Sequence, residues 1–170
     1  METIDIKWTH LEQTLNDFAD TFIQIARDHL QENGSIASSN LYNSIEKIVE
    51  IGDDYYRVSI QLEDYWTYVE NGRSAGKFPP PPKIQEWIEI KPVEPYPDEN
   101  GHIPSVEQLT FLIGRKIAQE GTDPKPFFEP AKEEVLEKFE LAISLAIQED
   151  VDEWLNENLE NLLEQYFGKF

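Results

Sequence analysis

The chain has 170 residues, 39% hydrophobic and 12% aromatic, with no cysteine and a formal net charge of −20. That apolar share suffices for one domain-sized core and excludes wholesale disorder, while the missing thiols exclude disulfides and thiolate metal sites. The charge excludes the basic footprint that ordinary nucleic-acid binders need, and no apolar run approaches the ~20 residues of a membrane span.

The charge is unevenly spread. Residues 1 to 72 carry 14 acids and 4 bases, residues 73 to 125 carry 8 and 7, and residues 126 to 170 carry 12 and 3. A near-neutral middle thus separates two acidic ends. The start, METIDIKWTH, lacks the basic-then-apolar pattern of a signal peptide. With no cysteine, the expectation is synthesis in an intracellular compartment.

Residues 9 to 31 form the first predicted helix, its apolar face set by Leu11, Leu15, Phe18, Phe22 and Ile25 and extended by His29 and Leu30. Asn33-Gly34 stops it. A polar connector, SIASSN, leads to a short apolar element at Leu41 to Ile45. Two strands follow, around Ile45 to Ile51 and Tyr56 to Leu62, with Gly52-Asp53-Asp54 as the turn between them. Tyr56, Val58, Ile60 and Leu62 alternate with polar residues, the period of a strand.

A short helix is expected at 64 to 71, capped by Asp64 and ended by Gly72. Pro79 to Pro82 predict an extended, stiff segment whose last proline enters the first turn of a helix bearing Ile84, Trp87 and Ile88. After a turn-rich loop, Ser105 caps a helix to about residue 119, with Gln108 closing a capping box and Leu109, Leu112, Ile113 and Ile117 as its face. Gly121 ends it, and TDPKP is extended. From Pro130 to Tyr166 the apolar spacing is helical throughout, either as one long helix or with a break at Glu149 to Asp152. No internal repeat is present.

Catalytic and metal constellations are missing. His10, His29 and His102 stand far apart, and none has a second ligand at helical or hairpin spacing. NGRSAGKF has one residue too few between its glycines for a phosphate loop, and Phe78 replaces the magnesium-binding hydroxyl. Asp98-Glu99-Asn100-Gly101 lacks the ligand ladder of a calcium loop. With 34 acids, carboxylate pairs arise by chance. The expectation is a protein that is not an enzyme, with no catalytic residues, metal or cofactor.

Three stretches taken in order carry a resemblance. They are SSNLYNSI (38 to 45), YWTYVENGRSAGKFPPPPKIQEWI (65 to 88) and FLIGRKIAQEGTDPKPFFEPA (111 to 131). Together the chain resembles the head–tail joining and tail-completion family of tailed bacteriophages, which includes neck and minor tail proteins. Leu41, Ser44 and Ile45 match its Gly-x-Leu-x-x-Ser-Ile segment. Tyr65, Tyr68, Val69, Glu70 and Gly72 match its Tyr-x-x-Tyr-Val-Glu-x-Gly segment. Ile117, Gly121, Thr122, Pro126 and Phe127 match its Ile-x-x-x-Gly-Thr-x-x-x-Pro-Phe segment. The match covers residues 35 to 135. It departs where Ser39 or Asn40 stands near a usual glycine, in the longer proline run, and in residues 150 to 170, which extend past the common core.

The resemblance implies an α+β fold, with a long N-terminal helix and further helices packed on a small antiparallel sheet, here followed by a long C-terminal helix. It implies a head–tail joining-like domain over 1–148 and a helical extension over 149–170. It also implies a virion structural protein, made in the host bacterial cytoplasm. Its place would be a ring at the neck or upper tail, beside portal, neck or tail proteins, with DNA passing unbound and no membrane.

Ring subunits present two different complementary faces. On that expectation Arg73, Lys77, Phe78, Pro79, Pro80, Pro81 and Pro82 form an intersubunit arm, or alternatively a loop that caps its own domain. Trp154, Leu155, Leu162, Leu163, Phe167 and Phe170 are the contact residues of the C-terminal helix, whether it grips a neighbour or folds back. Glu12, Asp17, Asp20 and Asp28 on the first helix either face a DNA channel and repel phosphates or simply solvate the surface. The rival function from another class is an acidic binding protein or DNA mimic that inhibits a nucleic-acid enzyme.

Overall fold

Leu11, Leu15, Ala19, Phe22, Ile23, Ala26 and Leu30 are the buried residues of the first helix, α1 (Thr9–Glu32). They recur at spacings of three and four, so they make one stripe on a 3.6-residue repeat. The expected face is therefore shifted. Phe18 and Ile25 lie half-buried at its edges, and the small Ala19 and Ala26 hold the centre. Gly34, at φ 62°, ends the helix as expected.

The computed structural model describes residues 6–34, 39–52, 55–90, 93, 95–97, 99 and 101–168. Ser35 to Ser38 of the connector and Asp53 and Asp54 of the predicted turn lie outside the described residues. After α1 come α2 (Ser39–Ser44), β1 (Glu46–Ile51), β2 (Tyr56–Gln61), α3 (Trp66–Asn71), α4 (Pro81–Ile90), α5 (Val106–Glu120) and α6 (Phe128–Phe167). The two strands pair as an antiparallel ribbon, and the fold is α+β. No helix among the described residues is long and apolar enough to cross a membrane.

The chain divides into two compact units. The first comprises Met1–Gln24, Lys47–Ile60 and Ala131–Phe170. Here the front of α1 runs antiparallel to α6. Phe18 meets Phe139 edge-on at 5.6 Å, and eight residues earlier on α1, His10 meets Asp150, eleven residues later on α6. Leu11, Leu15, Phe22, Ile23 and Val135 supply the large buried side chains. Each contributes about 1.5–3 kcal/mol. The ribbon is less buried, and Trp8 sits edge-on to Tyr56 at 5.5 Å.

The second unit comprises Ile25–Glu46 and Gln61–Pro130. Within it Arg27 ties the end of α1 to α2, donating from Nε to the Tyr42 carbonyl at 3.0 Å and stacking over the Tyr42 ring. Ile84 and Ile88 of α4 are buried, as their spacing predicts. Two starts differ from expectation. α3 begins at Trp66, with Tyr65 rather than Asp64 at the cap position and no side-chain cap. α4 takes in both Pro81 and Pro82, since residues of a first turn have no intrahelical N–H partner to lose.

α5 starts as predicted, with Ser105 and Gln108 forming a complete capping box, and Gly121 (φ 81°) ends it. Its buried face is rotated from the expected one. Thr110 and Gly114 are buried, whereas Leu112 is exposed and Leu109, Ile113 and Ile117 are half-buried. Thr110 satisfies its hydroxyl on the Val106 carbonyl at 2.7 Å, and the missing side chain at Gly114 admits the ring of Phe78 and the tip of Ile84.

Of the two readings for the C-terminal stretch, the uninterrupted one holds. α6 is continuous for 40 residues, a length of roughly 60 Å. There is no break at Glu149 to Asp152, and Asp150 lies on the buried face, one turn after buried Ala146.

Candidate functional site

The residues just before α1 and α6 are Trp8 and Phe127, and neither side chain can accept a hydrogen bond from the first amides of a helix. Each helix instead borrows a carboxylate from elsewhere in its own unit. Glu70 of α3, only 6% exposed, accepts from the backbone N–H groups of Phe127 and Phe128, each at 2.8 Å, and of Glu129 at 3.1 Å. Asp150 of α6, 1% exposed, accepts from the backbone N–H of His10 at 2.8 Å and of Leu11 at 2.9 Å. Both anions sit where unsatisfied N–H groups and the helix dipole favour negative charge.

Burial pushes the Asp150 carboxyl up, but the His10 and Leu11 amides and the His10 ring outweigh it and hold it below the usual carboxylate range. The His10 imidazole is raised in turn, first by its 2.9 Å hydrogen bond to Asp150, against the opposing effect of burial, and then by the charges of Glu153, Asp150 and Glu149. His10, Asp150 and Glu153 place one donor atom each within 4.8 Å of one another. As a cation site the trio is poor: both Asp150 oxygens already accept amide hydrogens, and the neighbouring helix end is itself positive.

Around Glu70 the second and third sequence motifs close into one junction. Arg73 and Thr122 exchange backbone hydrogen bonds at 3.0 and 2.8 Å, and Lys125 N–H donates to the Val69 carbonyl at 2.9 Å. Gly72 (φ 68°) and Gly121 make this approach possible. A Cβ on Gly72 would overlap the Thr122 carbonyl oxygen, and one on Gly121 would overlap that of Arg73. Phe127 is fully buried with Trp66 edge-on to its ring at 6.5 Å. The first motif lies in the same unit. Leu41 and Ile45 are buried, and the Ser44 hydroxyl donates to the Leu41 carbonyl and accepts from Glu63 N–H at 3.2 Å.

The candidate arm is pinned rather than free. Arg73 donates from its guanidinium to the Lys77 carbonyl at 2.7 Å, and Gly76 N–H donates to the Ala118 carbonyl of α5 at 2.8 Å. Phe78 stacks on Phe111 with ring centroids 6.0 Å apart, and Pro79 is buried. Lys77, Pro80, Pro81 and Pro82 face outward, and Phe78 keeps part of its ring exposed. Beside it, His102, Pro104, Glu107, Gln108, Phe111 and Leu112 line a shallow, mainly apolar groove along the first turns of α5.

Of the C-terminal candidates, Leu155, Leu163 and Phe167 are exposed and Trp154 is half-buried. The Leu162 side chain and the whole of Phe170 lie outside the described residues. Glu12, Asp17, Asp20 and Asp28 are all exposed, but Asp20 is paired with Lys47 at 2.6 Å.

Sequence reasoning placed Glu70 in a motif without seeing its role, and it took the Asp150 region for a possible break. The signal for Asp150 was an acid on the apolar register of α6, one turn after Ala146. For Glu70 it was a helix that opens on Pro126-Phe127 with no local capping side chain. Compared with family models, curated proteins and solved structures, the chain has no match in any of the three.

Proposed function

We propose that this chain is a virion structural protein of a tailed bacteriophage, a subunit of a neck or upper-tail ring that connects portal or head-completion proteins to the tail. What supports the reading is that the three motifs behind the resemblance are not scattered surface matches. Glu70, Gly72, Gly121, Thr122 and Phe127, far apart in the chain, make one capped and bridged junction, while Leu41, Ser44 and Ile45 anchor α2 in the same unit. Residues held by such non-local geometry are the ones that proteins sharing that geometry would keep.

No catalytic arrangement enters this reading, and the surface chemistry fits a scaffold. The acids of α1 and α6 give an assembled ring a surface that repels DNA phosphates, so that a duplex passes without sticking. The pinned loop at 73–82 presents Lys77, Phe78 and three prolines with little conformational entropy left to lose on docking.

The test is to locate the chain in purified particles by mass spectrometry and electron microscopy, and to delete its coding sequence. A ring subunit appears at the head–tail junction in multiple copies, and its loss leaves heads and tails unjoined. Infectious particles made without the chain would sink the reading. A chain absent from particles that holds a basic nucleic-acid enzyme in a one-to-one complex would favour the inhibitor alternative.

A further inference from the structure

α6 outruns the core of its own unit. Asp150 meets the first turn of α1, and among the described residues beyond it none is buried. The 17 helical residues from 151 to 167 span roughly 25 Å. Along this overhang Leu155, Leu159, Leu163 and Phe167 recur every fourth residue and are 38% to 73% exposed. The same stretch contains Asp152, Glu153, Glu157, Glu160 and Glu164 and no lysine or arginine. A row of leucines on a helix end whose only charges are acidic is incompletely covered, and its charge restricts what can cover it.

Pairing two such ends with each other would bring five acids against five, and like charges on facing helices oppose association. The near-neutral stretch from 73 to 125 offers a better match. Phe111 is 56% exposed on α5, with Leu112 exposed beside it, and Phe78 stacks on Phe111 to widen the apolar surface. The Arg115 guanidinium lies over the Phe111 ring at 6.0 Å and Lys77 is exposed, two cations against the single acid Glu107 of the groove, while Lys116 is paired with Glu120 at 3.8 Å. Apolar row meets apolar surface and acid meets base, the complementarity that selects one pairing over another.

We infer that the overhanging end of α6 in one copy docks on the Phe78–Phe111–Leu112 face of a second copy, with Leu155, Leu159 and Leu163 as its anchors and Arg115 opposing its acids. Donor and acceptor surfaces differ, so the contact is head-to-tail and an open assembly keeps one free donor at one end and one free acceptor at the other until a ring closes. A single helix on a short face buries less than a standard interface, so the contact is weak for one pair and strengthens with closure. This inference deepens the ring reading and rests on its premise that copies of the chain associate.

The absence of native cysteine allows a clean test. Full-length Leu159→Cys and Leu112→Cys proteins are mixed and oxidised at several concentrations, and each is also oxidised alone. The contact predicts a mixed disulfide that exceeds both self-linked products. It also predicts that Leu159→Glu with Leu163→Glu, or Phe111→Glu alone, weakens association in sedimentation at least ~tenfold. Circular dichroism verifies that each variant is folded. If one variant fails to fold, Arg115→Glu, an exposed charge change, takes its place and must also weaken association. Predominant self-linking of Leu159→Cys would show tail-to-tail pairing and overturn the contact, as would a disulfide formed within single chains of a protein that carries both Leu112→Cys and Leu159→Cys. Association untouched by all the variants would overturn this contact but leave the ring reading standing. A chain monomeric at every concentration, yet found as a ring in particles, would likewise overturn only the contact.

Discussion

Glu70 and Asp150 solve the same problem at two places. A helix whose preceding residue is aromatic has no local acceptor for its first amides, so a carboxylate arrives from another helix and is buried with them. Hydrogen bonds to a charged group are worth about 1.5–3 kcal/mol each way round, and an amide left unpaired in the interior costs a similar amount. Glu70→Gln is therefore expected to lower unfolding free energy by about 1–3 kcal/mol in urea titration, and Glu70→Ala by more, because three amides lose their acceptor. A Glu70→Gln protein as stable as the parent would show that shape rather than charge is what this position supplies. Gly121→Ala is expected to cost more than a typical surface change, because the added Cβ meets the Arg73 carbonyl and φ 81° already strains an alanine. The His10–Asp150 pair sets a pH window. Asp150 is held below the ordinary carboxylate range, so its contribution is present above that range and disappears as pH falls through its lowered value. His10 is held above the ordinary imidazole value, so its contribution is complete below that value and disappears as pH rises through the raised one. Chemical denaturation across pH should show both flanks, and His10→Ala should remove the alkaline one.

Among the elements, α6 carries the largest consequence. Its 40 residues form one helix, but all its buried residues among those described lie between Ala131 and Asp150. Ending the chain after Glu153 should then change thermal unfolding by only about 1 kcal/mol, since a fraying helix end contributes little without packing. The same truncation should abolish head-to-tail association in sedimentation, and a collapse of stability instead would mean that the overhang belongs to the core. Helix positions were readable from periodicity and from caps that act locally. Ser105 with Gln108, Gly34 and Gly121 all signal through residues within one turn. Faces were less readable. On α5 the leucine-rich side looked like the core side, yet a threonine that bonds its own turn and a glycine that admits Phe78 occupy it. Apolar content measures what a face could bury, and here the neighbouring ring decided which face was covered.

For the whole molecule the net charge of −20 acts in two opposite ways. Its surface ion pairs, such as Lys83 with Glu86 and Lys116 with Glu120, are largely exposed and individually weak, so self-repulsion should dominate the salt response. Added sodium chloride is expected to raise the thermal midpoint, while the same salt weakens association between an acidic helix end and a cation-framed face. A midpoint that falls with salt would mean that paired charges outweigh repulsion. The sequence by itself determined the order of helices and strands, the long first helix, the helical periodicity of the C-terminal stretch and the ends that carry their own caps. These depend on spacing along the chain, and spacing is what a sequence records. Only the tertiary structure decided that α6 runs unbroken through Glu149 to Asp152, that the proline loop is pinned to α5, and that two buried acids close the helix starts. Each of these depends on a partner between about 40 and 140 residues away, and no local pattern encodes which distant group will arrive to satisfy an unpaired amide or fill the space above a glycine.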